Sequence, residues 1–158
     1  MAVHDSVGEF AAAIPPVGAL IGLDLGTVTV GIAVSDPMRQ VASPLRTLKR
    51  QQFGKTADAL DAVIAERGIA GMVLGLPLNM DGSEGPRAQA TRAFARNFSR
   101  RSDLPIGFWD ERLSTVAAER ALLEADTSRK RRAEVIDHVA ASYILQGMLD
   151  RLRYLGGA

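Results

Sequence analysis

The chain has 158 residues, two His and no Cys, so it can build neither a disulfide scaffold nor a Cys-ligated zinc or iron–sulfur site. Its 19 Lys and Arg nearly cancel 18 Asp and Glu, leaving a net charge of +1, and bulk charge therefore does not point to nucleic acid. An apolar fraction of 47% is that of an ordinary globular domain and sets disorder aside.

Residues 1–18 mix small residues, Pro15, Pro16 and isolated acids without a sustained period, which predicts a flexible tail. The apolar stretch Phe10–Ile14 is short, with Asp5 and Glu9 before it and no basic start, so it does not read as an export signal. No segment approaches the ~20 apolar residues of a membrane span. A cytoplasmic protein without membrane contact is the expectation.

Residues 19–158 read as a single domain. Ala19–Asp24 is apolar nearly throughout and ends in an acid, as a buried strand would; after a Gly26-Thr27 turn, Thr29–Ser35 is a second strand. Val41–Leu48 is a third, with Pro44 arguing for an edge position or an irregularity. Short connections make these an antiparallel meander. The period then changes. Ala57, Leu60, Val63 and Ile64 follow helical spacing within 54–67, and Gly68 stops that helix. Ala70–Leu76 is a short apolar strand, residues 78–85 form a loop, and Pro86 suits the first turn of a helix running to about Arg100. Leu104–Trp109 is the last strand. Ser114 suits the N-cap of a helix to about Ala125. A basic loop at 128–132 then precedes a final helix over 133–154. The order βββαβαβαα predicts an α/β fold, a mixed five-stranded sheet flanked by helices on both faces.

Three acidic positions stand out. Asp24 ends a buried strand, where a carboxylate is costly unless paired, hydrogen-bonded or bound to a cation; capping the following turn is the plainer role. Asp110 and Glu111 end another apolar strand, where helix-entry acids are also favoured by the macrodipole. Asp137, the most telling of the three, shares an otherwise apolar helix face with Ala140, Ala141 and Ile144 and so needs a reason to be there; a solvated acid near a helix start is the plainer alternative. Far apart in sequence, the three can meet at one edge of such a sheet. Clustered carboxylates repel one another, and a divalent cation offsets that repulsion. Oxygen ligands without His or Cys suit Mg²⁺ or Mn²⁺, and metal-assisted phosphoryl chemistry follows from such a site.

Four blocks now gather into a resemblance. Asp24-Leu25-Gly26-Thr27 with Gly31–Asp36, Gly75–Gly82 (GLPLNMDG), Asp110–Thr115 (DERLST) and Asp137–Ala141 (DHVAA) occur in the order found in the YqgF/RuvX family, over roughly residues 19–153. The resemblance implies a ribonuclease-H-like fold and a nuclease that matures the 5′ end of precursor 16S ribosomal RNA, in a family often called Holliday-junction-resolvase-like. By matching position, Asp24, Glu111 and Asp137 would be the metal-binding catalytic acids, with Asp110 as a further ligand. One departure bears on the DNA reading. Related junction resolvases carry two acids three apart on the last helix, and here that spacing gives Asp137 and Ala140.

Candidate nucleic-acid contacts surround these acids. Asn79 follows a strand in a loop suited to a site, and doubles as a turn former. Arg112 can hold phosphate bidentately or pair with a neighbouring acid. Ser114 and Thr115 offer hydroxyls. Arg129, Lys130, Arg131 and Arg132 are the densest basic run, and Arg87, Arg92, Arg96, Arg100 and Arg101 a second cluster. Trp109 reads as core packing rather than a base-stacking surface, and His138 as surface or packing.

The expected partner is precursor ribosomal RNA, with structured DNA as the alternative; monomer and homodimer stay open. Three competing readings remain. Asp24–Gly31 resembles the phosphate loop of the actin and hexokinase superfamily, but 158 residues cannot supply the second lobe those enzymes use. A junction resolvase would need paired sites, hence a dimer. A catalytically silent binding module on a nuclease fold is the third.

Overall fold

A strand can be apolar on both faces only if both faces are covered, and β2 (Ala19–Leu25) is buried at every position. The computed structural model describes residues 2–113 and 129–156, with side chains for all of these except 129–137. Around β2 it places β1 (Val3–His4), α1 (Val7–Ala13), β3 (Thr29–Ser35), β4 (Ala42–Lys49), α2 (Phe53–Arg67), β5 (Ile69–Leu76), α3 (Pro86–Ser99), β6 (Ile106–Asp110), a 3-10 turn at Glu111–Leu113 and α4 (Arg129–Leu155). The sheet order is β1-β6-β5-β2-β3-β4. β3 runs antiparallel to β2 and β4, whereas β5, β6 and β1 continue parallel to β2. This is the expected mixed sheet with a sixth strand added. Pro44 sits where the β3–β4 register shifts, on an edge strand. Among the described residues no helix is long and apolar enough to cross a membrane.

The added strand corrects the expectation of a tail over residues 1–18. Val3 and His4 pair with Ile106 and Gly107, and Ser6 caps α1 by accepting the Glu9 N–H at 3.0 Å. Phe10 is wholly buried. A Cβ on Gly107 would stand only 2.6 Å from Phe10 Cγ, so the ring occupies space that this glycine leaves. A two-residue strand and a seven-residue helix are too short to show a period; what holds them is a cavity made by a distant strand.

The sheet separates two cores. α2 and α3 bring Leu60, Val63, Phe94 and Phe98 onto Ile21, Leu23, Ile32 and Leu74. On the other face, Phe10 and the α4 residues Ala141, Ile144, Leu145 and Met148 cover Leu20, Val73 and Trp109. The basic loop expected at 128–132 is also corrected, since residues 129–132 form the first turn of α4. Arg and Lys are good helix formers, and the run holds no Gly or Pro to stop them. The helix expected over Ser114–Ala125 lies outside the described residues.

α4 lies unusually close to the sheet. A Cβ on Gly22 would meet Leu145 Cβ at 2.7 Å, and one on Gly75 would meet Ile144 Cδ1 at 2.5 Å. Its direction is fixed at two points along β4. His138 Nδ1 and Thr47 Oγ1 are hydrogen-bonded at 2.9 Å, and Gln146 Oε1 accepts the Ala42 N–H at 2.8 Å. The helix therefore crosses the end of β4 near His138 and runs back toward its beginning.

Truncating the N-terminal anchor tests its part in the fold. Phe10→Ala should destabilise the protein by about 3–5 kcal/mol, the cost of emptying a buried aromatic site, read from the denaturant midpoint. A change within 0.5 kcal/mol would mean that residues 3–14 are not held as described.

Candidate active site

Strand alternation sorts the acids by face. Along β2, Leu23 and Leu25 join the α2/α3 core and Leu20 the α4 core, which puts Asp24 on the α4 face, 4% exposed. Asp24 pairs with Gly31 of β3, and Gly31 with Thr47 of β4. One step beyond the Leu23–Leu74 pair, Gly75 is its neighbour on β5. Asp24 thus lies between two strand positions without side chains.

The same rule separates Asp110 from Glu111. Ile106 and Phe108 of β6 face the α2/α3 core and Trp109 the α4 core, so Asp110 continues the first set. The chain then bends into the 3-10 turn, and Glu111 comes back over the sheet. Its Oε2 lies 3.3 Å from the place a Gly75 Cβ would take. Asp24 and Glu111 are therefore brought together on the α4 face, beside and above Gly75. Neither carboxylate is without a partner.

Asp110 is not brought to them. Arg112 Nη2 donates to Asp110 Oδ2 at 2.7 Å, Arg112 Nε to Oδ1 at 3.1 Å, and the Arg112 backbone N–H to Oδ1 at 2.9 Å. The remaining arm of Arg112, Nη1, donates to the Met80 carbonyl at 3.3 Å. The guanidinium thus ties the turn carrying Glu111 to the loop after β5. Asn79 shapes that same loop. Its Nδ2 donates to Ser83 Oγ at 3.0 Å and its carbonyl accepts the Gly82 N–H at 2.8 Å. Asn79 and Arg112 both make the local contacts expected of a turn former and an ion-pair partner.

The start of α4 arrives at the same place. The Ala141 carbonyl lies 3.1 Å from the place a Gly22 Cβ would take. Position 137 is four residues earlier, about 6 Å along the axis, and Asp24 is two strand residues beyond Gly22, about 6.6 Å. Position 137 and Asp24 are thus level. The Asp137 side chain lies outside the described residues, as do Ser114, Thr115 and the side chains of Arg129, Lys130, Arg131 and Arg132. Among the described residues, no three acidic or imidazole groups could share one ion. Trp109 is 6% exposed and packs on Gly147, as core packing requires.

Gly31 and Gly75 come to stand beside Asp24 only through strand pairing, so no local signal in the sequence marks them. Sequence reasoning also missed Arg50. This residue donates through Nη1 to the Gly26 carbonyl at 2.6 Å, while Arg87 Nη2 reaches the Leu25 carbonyl at 3.4 Å. The rest of the expected α3 cluster is divided. Arg92 pairs with Asp5 and Glu84, and Arg101 with Asp58 and Asp61.

The hydrogen bonds from the Arg112 guanidinium hold the Asp110 carboxyl below its ordinary range, outweighing the opposing effect of partial burial. A carboxyl depressed in the folded state stabilises the fold above its unfolded value near 3.9. That contribution is lost as pH falls through the lower folded value. Asp110→Asn should therefore lower the thermal midpoint at pH 7 and converge on the parent in acid, once pH has fallen through that lowered folded value. An equal deficit at pH 7 and in acid would show that the charge does not stabilise the fold.

The chain is 70% identical over 154 residues to a protein of Cereibacter sphaeroides named "Putative pre-16S rRNA nuclease", covering 98% of this chain and 96% of that one. A protein of Ruegeria pomeroyi with the same name is 70% identical over 153 residues, covering 97% and 99%. Among solved structures, RuvC of Thermus thermophilus in complex with a Holliday junction substrate superposes with a TM-score of 0.53 at 11% identity, covering 89% of this chain and 96% of that one. That likeness assigns the ribonuclease-H-like fold. The model of the RuvX family, described as Holliday junction resolvase, matches residues 18–151. The chain belongs to the RuvX family.

Proposed function

We propose that this protein is a divalent-metal-dependent endonuclease that hydrolyses phosphodiester bonds in precursor 16S ribosomal RNA. The observation that carries the reading is the meeting of Asp24 and Glu111 over Gly75 at the ends of parallel strands. Burying a carboxylate at 4% exposure is costly, and placing a second on the same face adds repulsion. The oxygen donors of the two carboxylates fit a divalent cation, which would offset their mutual repulsion. The oxygen donors of Asp24 and Glu111, with Asp137 as the proposed third, suit Mg²⁺ or Mn²⁺. Asp110 is left out of the set, because it faces the other core and is held by Arg112.

Bound there, such an ion would supply Lewis-acid stabilisation of charge on the phosphate oxygens. The chain's own residues define where that happens. Gly75 leaves the room that Ile144 and Glu111 occupy beside Asp24, and the Arg112 clasp holds the turn that carries Glu111. The names of the relatives favour a ribosomal RNA precursor as substrate. A bacterial protein of this kind would meet that RNA in the cytoplasm. The second reading, cleavage of a DNA four-way junction, is favoured by the family's description. It would need two sites and therefore a dimer.

Cleavage of a precursor 16S RNA fragment and of a DNA four-way junction, assayed side by side with Mn²⁺, tests this. RNA cleavage should vanish in EDTA and fall by about 10²–10³-fold in Asp24→Asn, the scale of losing one electrostatic stabiliser of the reaction. Junction cleavage alone, lost in the same controls, would keep the chemistry and move the substrate to DNA. Metal-dependent cleavage of neither would leave a nucleic-acid-binding module on this fold.

A further inference from the structure

Most arginines that make ion pairs here are committed to the fold. Arg92, Arg101, Arg112 and Arg153 each hold a carboxylate. Arg50 and Arg87 differ. Among the described residues neither pairs with an acid, yet both reach the Leu25–Gly26 turn that immediately follows Asp24. They come from opposite sides of it. Arg50 follows β4, beyond β3 on one flank of β2, and Arg87 opens α3, which follows β5 on the other flank.

Each guanidinium spends one of its five N–H groups on a backbone carbonyl. The bond fixes the planar fork without neutralising it. The unspent donors have the geometry that binds phosphate oxygens bidentately. Two cations on the turn that follows Asp24 also ease the approach of a polyanion to an acidic centre. Both contacts are part-buried, and the two arginines bring two positive charges to successive carbonyls of one turn.

We propose that Arg50 and Arg87 form a phosphate clamp for an RNA strand, gripping the phosphates that flank the one presented to Asp24 and Glu111. This rests on the nuclease reading above and adds to it the residues that hold the substrate's backbone. Neither arginine acts on the reacting bond; both are positioning residues.

The test is binding of a fluorescently labelled single-stranded RNA, followed by anisotropy from 50 to 200 mM salt with Mg²⁺. All proteins carry Asp24→Asn so that the strand stays whole. Arg50→Gln and Arg87→Gln keep an N–H for the carbonyls while removing the charges. Together they should weaken binding at least tenfold and flatten the slope of log affinity against log salt by about 1.4, or about 0.7 for each phosphate contact on a single strand. Arg50→Lys with Arg87→Lys should keep the slope and lose part of the affinity, because the fork is lost and the charge retained. Arg67→Ala, at the far end of α2, should change neither.

A glutamine pair with parental affinity and slope overturns the proposal, and so does weaker binding at an unchanged slope. The thermal midpoint checks the fold; were the double variant unfolded, each single variant should show about half the slope change. If the parent binds no RNA, the clamp and the nuclease reading fall together. If the parent binds and the glutamine pair binds as well, only the clamp falls.

Discussion

The close approach of α4 to the sheet governs the rest of this structure. Gly22 and Gly75 make it possible, since a methyl group at either would run into Leu145 or Ile144. Side chains at these two positions would push the helix outward and carry position 137 away from the level of Asp24. The glycine at 75 has a second consequence, because Glu111 settles over the same bare position. One small residue on β5 therefore admits both the helix and an acid from the neighbouring strand. Packing density and the candidate chemistry depend on the same missing side chain.

Around that point the charges are divided by face. Asp24 and Glu111 lie on the α4 side, while Asp110, one residue from Glu111, lies on the other and is neutralised by Arg112. The pairing keeps the negative charge at the turn from simply accumulating. It also makes the turn rigid, through a guanidinium that reaches on to the loop after β5. The loop in turn closes on itself through Asn79, Asp81 and Ser83. Met80, near its tip, is 90% exposed.

Much of this was legible in the sequence. The central strands were readable from runs such as Ala19–Asp24 and Ala70–Leu76, because a strand buried on both faces has to be apolar throughout. Gly68 and Pro86 marked a helix end and a helix start by backbone chemistry alone. The three acidic positions stood out as carboxylates at the ends of apolar runs. What could not be read was whatever depends on a partner distant in sequence. Phe10 looked like part of a tail because its socket is built by Gly107, nearly a hundred residues away. The choice between Asp110 and Glu111 needed the register of β6 and the bend after it. Arg50 gave no local sign, because its meaning lies in the carbonyl that it meets.

The central claim is that Asp24 and Glu111, and not Asp110, hold a divalent cation on the α4 face. Calorimetric titration of Mn²⁺ into the parent, Asp24→Asn, Glu111→Gln and Asp110→Asn tests it most directly. Binding should be lost or greatly weakened in the first two variants and kept in Asp110→Asn. Binding kept in Glu111→Gln and lost in Asp110→Asn would contradict the account.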